Sequence, residues 1–210
     1  MVLNGVAAPG AVIRLASPGG SAITGSADRK GAFNIVAPGG PTPQLYSLSE
    51  AVGGRLARAV GYITVLPAPG PAAALLRPAA AAALPPAQVQ RGVAAVDYDA
   101  SGAAIASGRA APGETVRLFL DGKDVGDDPT DPTGVFNASL SQPLSPGPHV
   151  LTMASPRTRA SASFDAARTS SLAGAYYRAS RVEAAWRIDW ATPGGGVQST
   201  ILFDQRAGRG

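Results

Sequence analysis

GRAAPGETVRLFLDGKDVGDDPTDPTGVFN, residues 108–137, is a pattern that the chain writes twice. Its first copy is GVAAPGAVIRLASPGGSAITGSADRKGAFN, residues 5–34, at a constant shift of 103 with no gap. Twelve of the thirty positions are identical, among them Gly5 and Gly108, Asp28 and Asp131, Gly31 and Gly134, Phe33 and Phe136, and Asn34 and Asn137. Alanine and glycine bias does not place Asp, Gly, Phe and Asn at fixed spacing in both copies. The period is too long for a solenoid and has the size of one β-sandwich domain, about 100 residues.

Each matched element has a physical reading. Ala8-Pro9-Gly10 and Ala111-Pro112-Gly113 are turns, because proline presets φ and glycine accepts φ > 0. The alternating run Thr115–Leu120 puts Val116, Leu118 and Leu120 on one face of a strand. Asp121-Gly122 is a hairpin signal. A second turn at Asp28–Gly31 or Asp131–Gly134 precedes a core-directed Phe33 or Phe136. Further strands are expected at Gln44–Ser49 and His149–Ser155, then at Ala59–Leu66 and Ala160–Ala166. The second copy also has strands before the repeat, Val93–Tyr98 and Ala103–Arg109. The first copy lacks the leading one, so an open edge is expected near Met1, with the native start upstream or another segment supplying the strand.

These residues resemble the bacterial Ig-like repeats of cell-surface adhesins and other envelope proteins. The resemblance rests on Ser107-Gly108, Ala111-Pro112-Gly113, Val116, Leu118, Asp121-Gly122, Gly126, Asp131, Gly134, Phe136, Leu144, Gly147, His149 and Leu151. It is stronger over about 93–166 than over 1–66 and does not extend to 67–92 or 167–210. The family commonly has tryptophan where Phe33 and Phe136 stand. The resemblance implies an all-β protein with two tandem Ig-like β-sandwiches, acting without catalysis as a spacer or binding module outside the cytoplasm.

Composition narrows the function classes. Cysteine is absent, which excludes disulfides, thiolate metal sites and cysteine nucleophiles. The net charge is +4, yet lysine occurs only at Lys30 and Lys123 and no basic run reaches five residues, so nucleic acid is not an expected partner. Charged residues are only 15%, leaving a surface of small polar and apolar residues, as in extracellular β-modules. No apolar run is long enough for a transmembrane helix. No secretory signal opens the chain, so the expected placement in the periplasm, at the outer membrane or on the cell surface requires an export signal outside it.

The organisation read from the sequence is a sandwich over 1–66, an Ala/Pro-rich linker over 67–92, a sandwich over 93–166, and a C-terminal β-meander with a disordered tail over 167–210. Proline in the linker favours an extended spacer, with a short helix possible around Ala79–Leu84 and with Leu75 and Leu76 placed to pack on a domain. In the C-terminal segment Trp186, Ile188 and Trp190 share one strand face, and Val197, Ser199, Ile201 and Phe203 share another. A three-stranded meander is too small to stand alone and must dock on the second sandwich or on a partner.

Three chemistries bear on function. His149 is the one histidine, and its position at a strand start favours a structural role over a Ser-His-Asp site. No nucleophile elbow, P-loop, dinucleotide fingerprint or zincin helix is present, so the chain reads as no enzyme. Asp121, Asp124, Asp127, Asp128 and Asp131 form an oxygen-rich stretch that is a weak candidate for calcium; solvated turn aspartates are the favoured reading, since only Asp28 remains in the first copy. Tyr176, Tyr177, Trp186 and Trp190 form the candidate ligand-binding set, as a platform for sugar rings, against the simpler reading of a hydrophobic face covering the sandwich. The expected function is a structural or interaction module of the envelope, binding a protein partner or itself. The alternative is a carbohydrate- or peptidoglycan-binding module, and a hydrolase accessory domain is weaker.

Overall fold

Short alternating runs between glycine and proline turns give strands of four to nine residues. The computed structural model describes residues 1–68, 72–85, 89–169 and 171–205, and among these there is no helix. The strands are β1 (Val2–Val6), β2 (Val12–Ala16), β3 (Ala22–Ser26), β4 (Ala32–Val36), β5 (Gln44–Val52), β6 (Arg55–Arg58), β7 (Tyr62–Val65), β8 (Ala73–Leu76), β9 (Gly92–Asp99), β10 (Ala104–Arg109), β11 (Thr115–Leu120), β12 (Lys123–Pro129), β13 (Val135–Ser139), β14 (Gly147–Ala154), β15 (Arg159–Ala166), β16 (Tyr177–Val182), β17 (Ala185–Ala191) and β18 (Val197–Phe203). The protein is all-β, with several antiparallel sheets.

In the C-terminal half a six-stranded sheet, β13-β10-β9-β18-β17-β16, faces a four-stranded sheet, β12-β11-β14-β15. Val96, Val116, Leu118, Phe136, Leu151, Met153 and Ile201 fill the space between them. In the N-terminal half β1 and β4 form a two-stranded sheet. It faces β3-β2-β5-β7-β8 across a core containing Ile13, Leu15, Ile35, Tyr46 and Val65.

The matched residues occupy matched roles. The Asp28 carboxylate accepts from the N–H groups of Lys30 and Ala32, and Asp131 accepts from those of Thr133 and Val135. These are Asx turns, in which the side chain replaces a backbone acceptor. Gly31 and Gly134 follow at φ +85° and +84°, a conformation that a side chain would strain. Gly5 pairs with Phe33 across β1–β4, as Gly108 pairs with Phe136 across β10–β13. In both copies the aromatic ring lies over the glycine, where a Cβ would come within 2.4 Å and 2.7 Å of ring carbons.

The strand expected at Ala59–Leu66 is present as β7, Tyr62–Val65, and a further strand, β6, Arg55–Arg58, precedes it. β6 pairs with β5 at Ser49↔Arg58, whereas β7 pairs at Gln44↔Val65, a register two residues longer. Ala59, Val60 and Gly61 loop out between them. Gly61 has φ +102°, and a Cβ there would lie 2.0 Å from the Leu76 carbonyl oxygen, so glycine lets the next strand cross closely.

The expected helix at Ala79–Leu84 does not form. Ala73–Leu76 is instead strand β8 on β7, and the chain turns back through Ala79 at φ 52° to bridge Leu75 with Ala83. The Arg77 guanidinium donates to the Ala81 carbonyl from both Nε and Nη2 and holds this turn. Burial of Ala74, Leu76 and Ala82 rewards the extended path.

The alternation at Trp186–Trp190 does not mean one wet face. β17 is buried on both faces, because it lies within a sheet covered on each side. The meander β16-β17-β18 adds to the free edge of β9 through β18, with Ile201 opposite Val96. The expected disordered tail, where it covers 206–210, lies outside the described residues.

Candidate functional site

The aspartates of 121–131 diverge. Asp121 accepts from the Val150 N–H at 2.9 Å and contacts the His149 ring nitrogen Nδ1 at 2.7 Å. Asp124 pairs with Arg117 and accepts from the Gly126 N–H. Asp128 accepts from the Asn137 N–H at 2.8 Å, and Asp131 closes its own turn. Among the described residues no group of three or more acidic or histidine side chains converges to hold a metal ion. The Val150 N–H and then His149 hold the Asp121 carboxyl below the usual carboxylate range. Arg117 does the same for Asp124, and the Thr133 hydroxyl for Asp131.

His149 is buried at the start of β14. Burial alone disfavours its charged form, but hydrogen bonds to Asp121 and to the Ser145 carbonyl outweigh that and raise its pKa. The Ser145 hydroxyl stands 3.4 Å from Nε2. Both ring nitrogens serve to tie the 145–149 turn to the β11–β12 hairpin. A Ser–His–Asp sequence is thus present in space, but the ring already spends Nε2 on a backbone carbonyl, and Phe164 packs 5.8 Å from it.

The four aromatics divide. Trp190 has no exposed surface and Trp186 is 9% exposed; Tyr177 is half-buried; Tyr176 is 58% exposed. Trp186, Ile188 and Trp190 form a second core with Leu202 and Ala95 from the same sheet and with Leu45, Leu66, Ala74, Leu76 and Ala82. Those partners come from β5, β7–β8 and the segment expected as a spacer. Burial takes both indoles away from any sugar-stacking role and uses them to join the two halves of the chain. Tyr62 of β7 meets Trp190 edge to face, and the Trp190 Nε1–H donates to the Thr200 hydroxyl at 3.1 Å.

A polar cluster beside this core was not singled out from the sequence. Asp97, in the middle of β9, accepts from the Thr200 hydroxyl at 2.5 Å, from the Ala82 N–H at 2.7 Å and from Gln198 Nε2 at 3.5 Å. Gln198 in turn accepts from the Ala79 N–H at 3.0 Å. Burial pushes the Asp97 carboxyl up to about 6, against the pull of these donors and of Arg77. The available signal was an acid in the interior of a mostly apolar strand, distinct from the exposed Asp99 at its end. The cluster satisfies backbone donors of 79–82 and fixes that segment on the sheet. A cleft of about 450 Å³ lies beside it, bordered by Pro78, Asp97, Tyr98 and Gln198.

A further concave surface is in the N-terminal half. A groove of about 520 Å³ lies where the end of β1 meets β5 and β6, lined by Val6, Ile13, Phe33, Leu48, Ala57 and Arg58. Its lining also carries Ser49 and Glu50, whose carboxylate accepts from the Ala8 N–H at 3.3 Å. Phe33 and Leu48 are half-buried here, whereas their repeat partners Phe136 and Leu151 have no exposed surface. The difference is β9. In the second copy β9 pairs with β10 and its Val93 and Val96 join the core; in the first copy β1 pairs only with β4 among the described residues.

No family model matches the chain, and no curated protein is detectably similar to it. No helix among the described residues is long and apolar enough to cross a membrane.

Proposed function

We propose that this chain is a non-catalytic structural module of the bacterial cell envelope, built on two tandem Ig-like sandwiches, that holds its two ends in fixed relation and offers a protein-binding face. The observation that carries this reading is the conversion of the Ala/Pro-rich connection into structure. β8 extends a sheet of the first half, while its Ala74 and Leu76 and the nearby Ala82 pack on Trp186, Ile188 and Trp190 of the second. Burying such a set of aliphatic and aromatic side chains contributes roughly 1.5–3 kcal/mol per residue. Asp97, Gln198 and Thr200 add directional hydrogen bonds at the same junction. A flexible tether gains nothing from this arrangement, and a rigid spacer requires it. The low charge of the chain and its resemblance to envelope repeats support the placement.

Fractionation of the producing bacterium, followed by in-cell crosslinking, tests this reading. The expected result is recovery in the envelope fraction, crosslinked to another protein. Recovery in the cytosol, or turnover of a small substrate by the purified chain, overturns it.

A further inference from the structure

We propose that the cleft between the outer face of β2-β5-β6 and the 191–196 loop binds an acidic, extended segment of a partner protein, with Arg14 and Arg58 each taking one carboxylate. This deepens the binding part of the reading above and rests on it.

Three strands bring the two arginines together. Ile13 and Leu15 are buried in the core, so Arg14 between them points outward. Arg14 lies opposite Ser49 of β5, and Ser49 lies opposite Arg58 of β6. The two guanidiniums therefore rise from one face on either side of Ser49, with their Cα atoms roughly 10 Å apart at the usual strand spacing. Two residues along, the same strands form an apolar row, Val12 opposite Ala51 and Ala51 opposite Leu56. Leu56 and the nearby Val60 are 59% and 72% exposed.

The far end of this sheet face is covered. Leu45 packs in one core with Trp186, Ile188 and Trp190, and Tyr62 meets the Trp190 ring. The cover ends at the loop between β17 and β18. There Pro193 joins Arg14, Ser49, Leu56, Arg58 and Val60 in lining a cleft of about 570 Å³.

Charge selects the occupant. Residues 1–66 carry five basic side chains and two acidic ones, Asp28 and Glu50. Asp28 closes its own turn, and Glu50 accepts from the Ala8 N–H. Among the described residues neither Arg14 nor Arg58 has an ion-pair or hydrogen-bond partner. A free guanidinium grips a planar carboxylate through two parallel hydrogen bonds. In an extended peptide residues i and i+2 share a face about 7 Å apart, a span that two flexible arginines can bracket. The exposed apolar walls are aliphatic, Leu56 and Val60, and suit an aliphatic side chain. A sugar acid would need an aromatic face for its ring, and Tyr62, the aromatic at this cleft, is half-buried and engaged with Trp190.

The test titrates the full ¹⁵N-labelled chain, followed by NMR, with the capped peptide Gly-Glu-Val-Glu-Leu-Gly. Its glutamine counterpart and trigalacturonic acid, an acidic sugar, are the comparisons. The expected result is saturable shifts at the Ser47, Ser49 and Leu56 amides and at the Arg14 and Arg58 Nε–H groups, weakened by salt and absent with the glutamine peptide. Arg14→Gln and Arg58→Gln should each weaken binding about threefold and together about tenfold, in the range of exposed ion pairs. Arg29→Gln removes the same charge from the Asp28–Gly31 turn and should leave binding unchanged. All three variants should keep the native tryptophan emission. Absence of saturable shifts overturns the proposal. So does an equal loss with Arg29→Gln, which would reduce the attraction to bulk charge. Tighter binding of the sugar than of the peptide overturns it as well, by making the ligand a glycan. None of these outcomes changes the fractionation result, so the two readings fail separately.

Discussion

Tyr62 meets Trp190 edge to face, with ring centroids 5.8 Å apart and planes at 80°. One residue belongs to the first half of the chain and the other to the C-terminal meander, so this contact is part of the junction itself. Tyr62→Ala is expected to lower stability by about 1–3 kcal/mol through lost packing and lost ring geometry. Urea unfolding followed by tryptophan emission measures it. Because only Trp186 and Trp190 emit, and both lie in the junction core, the variant should also shift the native spectrum. An unchanged spectrum would contradict the contact.

Asp97 makes stability depend on pH in an unusual direction for a carboxylate. Its folded pKa of about 6 stands above its ordinary value of 3.8, so the folded state binds the proton more tightly than the unfolded state. Its contribution is fully present below about pH 4 and is lost as pH rises through about 6. The span corresponds to about 3 kcal/mol at 1.36 kcal/mol per pKa unit. Urea midpoints at pH 4.5 and pH 7 should therefore separate more for the wild type than for Asp97→Asn, which keeps the shape and removes the titration.

His149 gives a single histidine signal in a proton NMR titration. Its midpoint is expected above the ordinary 6.5 because Asp121 and the Ser145 carbonyl favour the charged ring. Asp121→Asn should bring the midpoint down. The stability that this pair contributes is present below the ordinary histidine pKa and is lost as pH rises through the raised one.

The two repeat glycines separate a ring contact from a backbone contact. A Cβ on Gly108 would meet the Gly92 carbonyl oxygen at 2.1 Å and the sealed Phe136 ring, whereas a Cβ on Gly5 would meet only the ring of Phe33 beside the open groove. Gly108→Ala is expected to cost about 1–3 kcal/mol, the usual range for overpacking. Gly5→Ala should cost less, because Phe33 has space to yield. Thermal unfolding of the two variants side by side checks the order.

Most strands were legible in the sequence because turn chemistry and alternation are local. Asp121-Gly122 makes the tight β11–β12 hairpin with φ of 52° and 81°, as the dipeptide predicts. The linker was misread because its alanine content speaks for helix while its partners lie on other strands, β7, β9, β17 and β18, some of them more than a hundred residues away. Ala79 is held by Gln198, a contact that no local window contains. Trp186 and Trp190 read as a candidate sugar platform for a similar reason: alternation identifies which side chains share a face and says nothing about what covers that face.

By itself the sequence determined the β class, the repeat, the turns and the inward phenylalanines, all consequences of short-range φ preferences and side-chain period. The tertiary structure alone decided that the connection becomes β8, that the indoles are core, that Asp97 is a buried anchor, and that the meander extends the edge of β9. Each depends on burial between segments distant in the chain, where the free energy comes from surface removed from water and from donors satisfied across the junction.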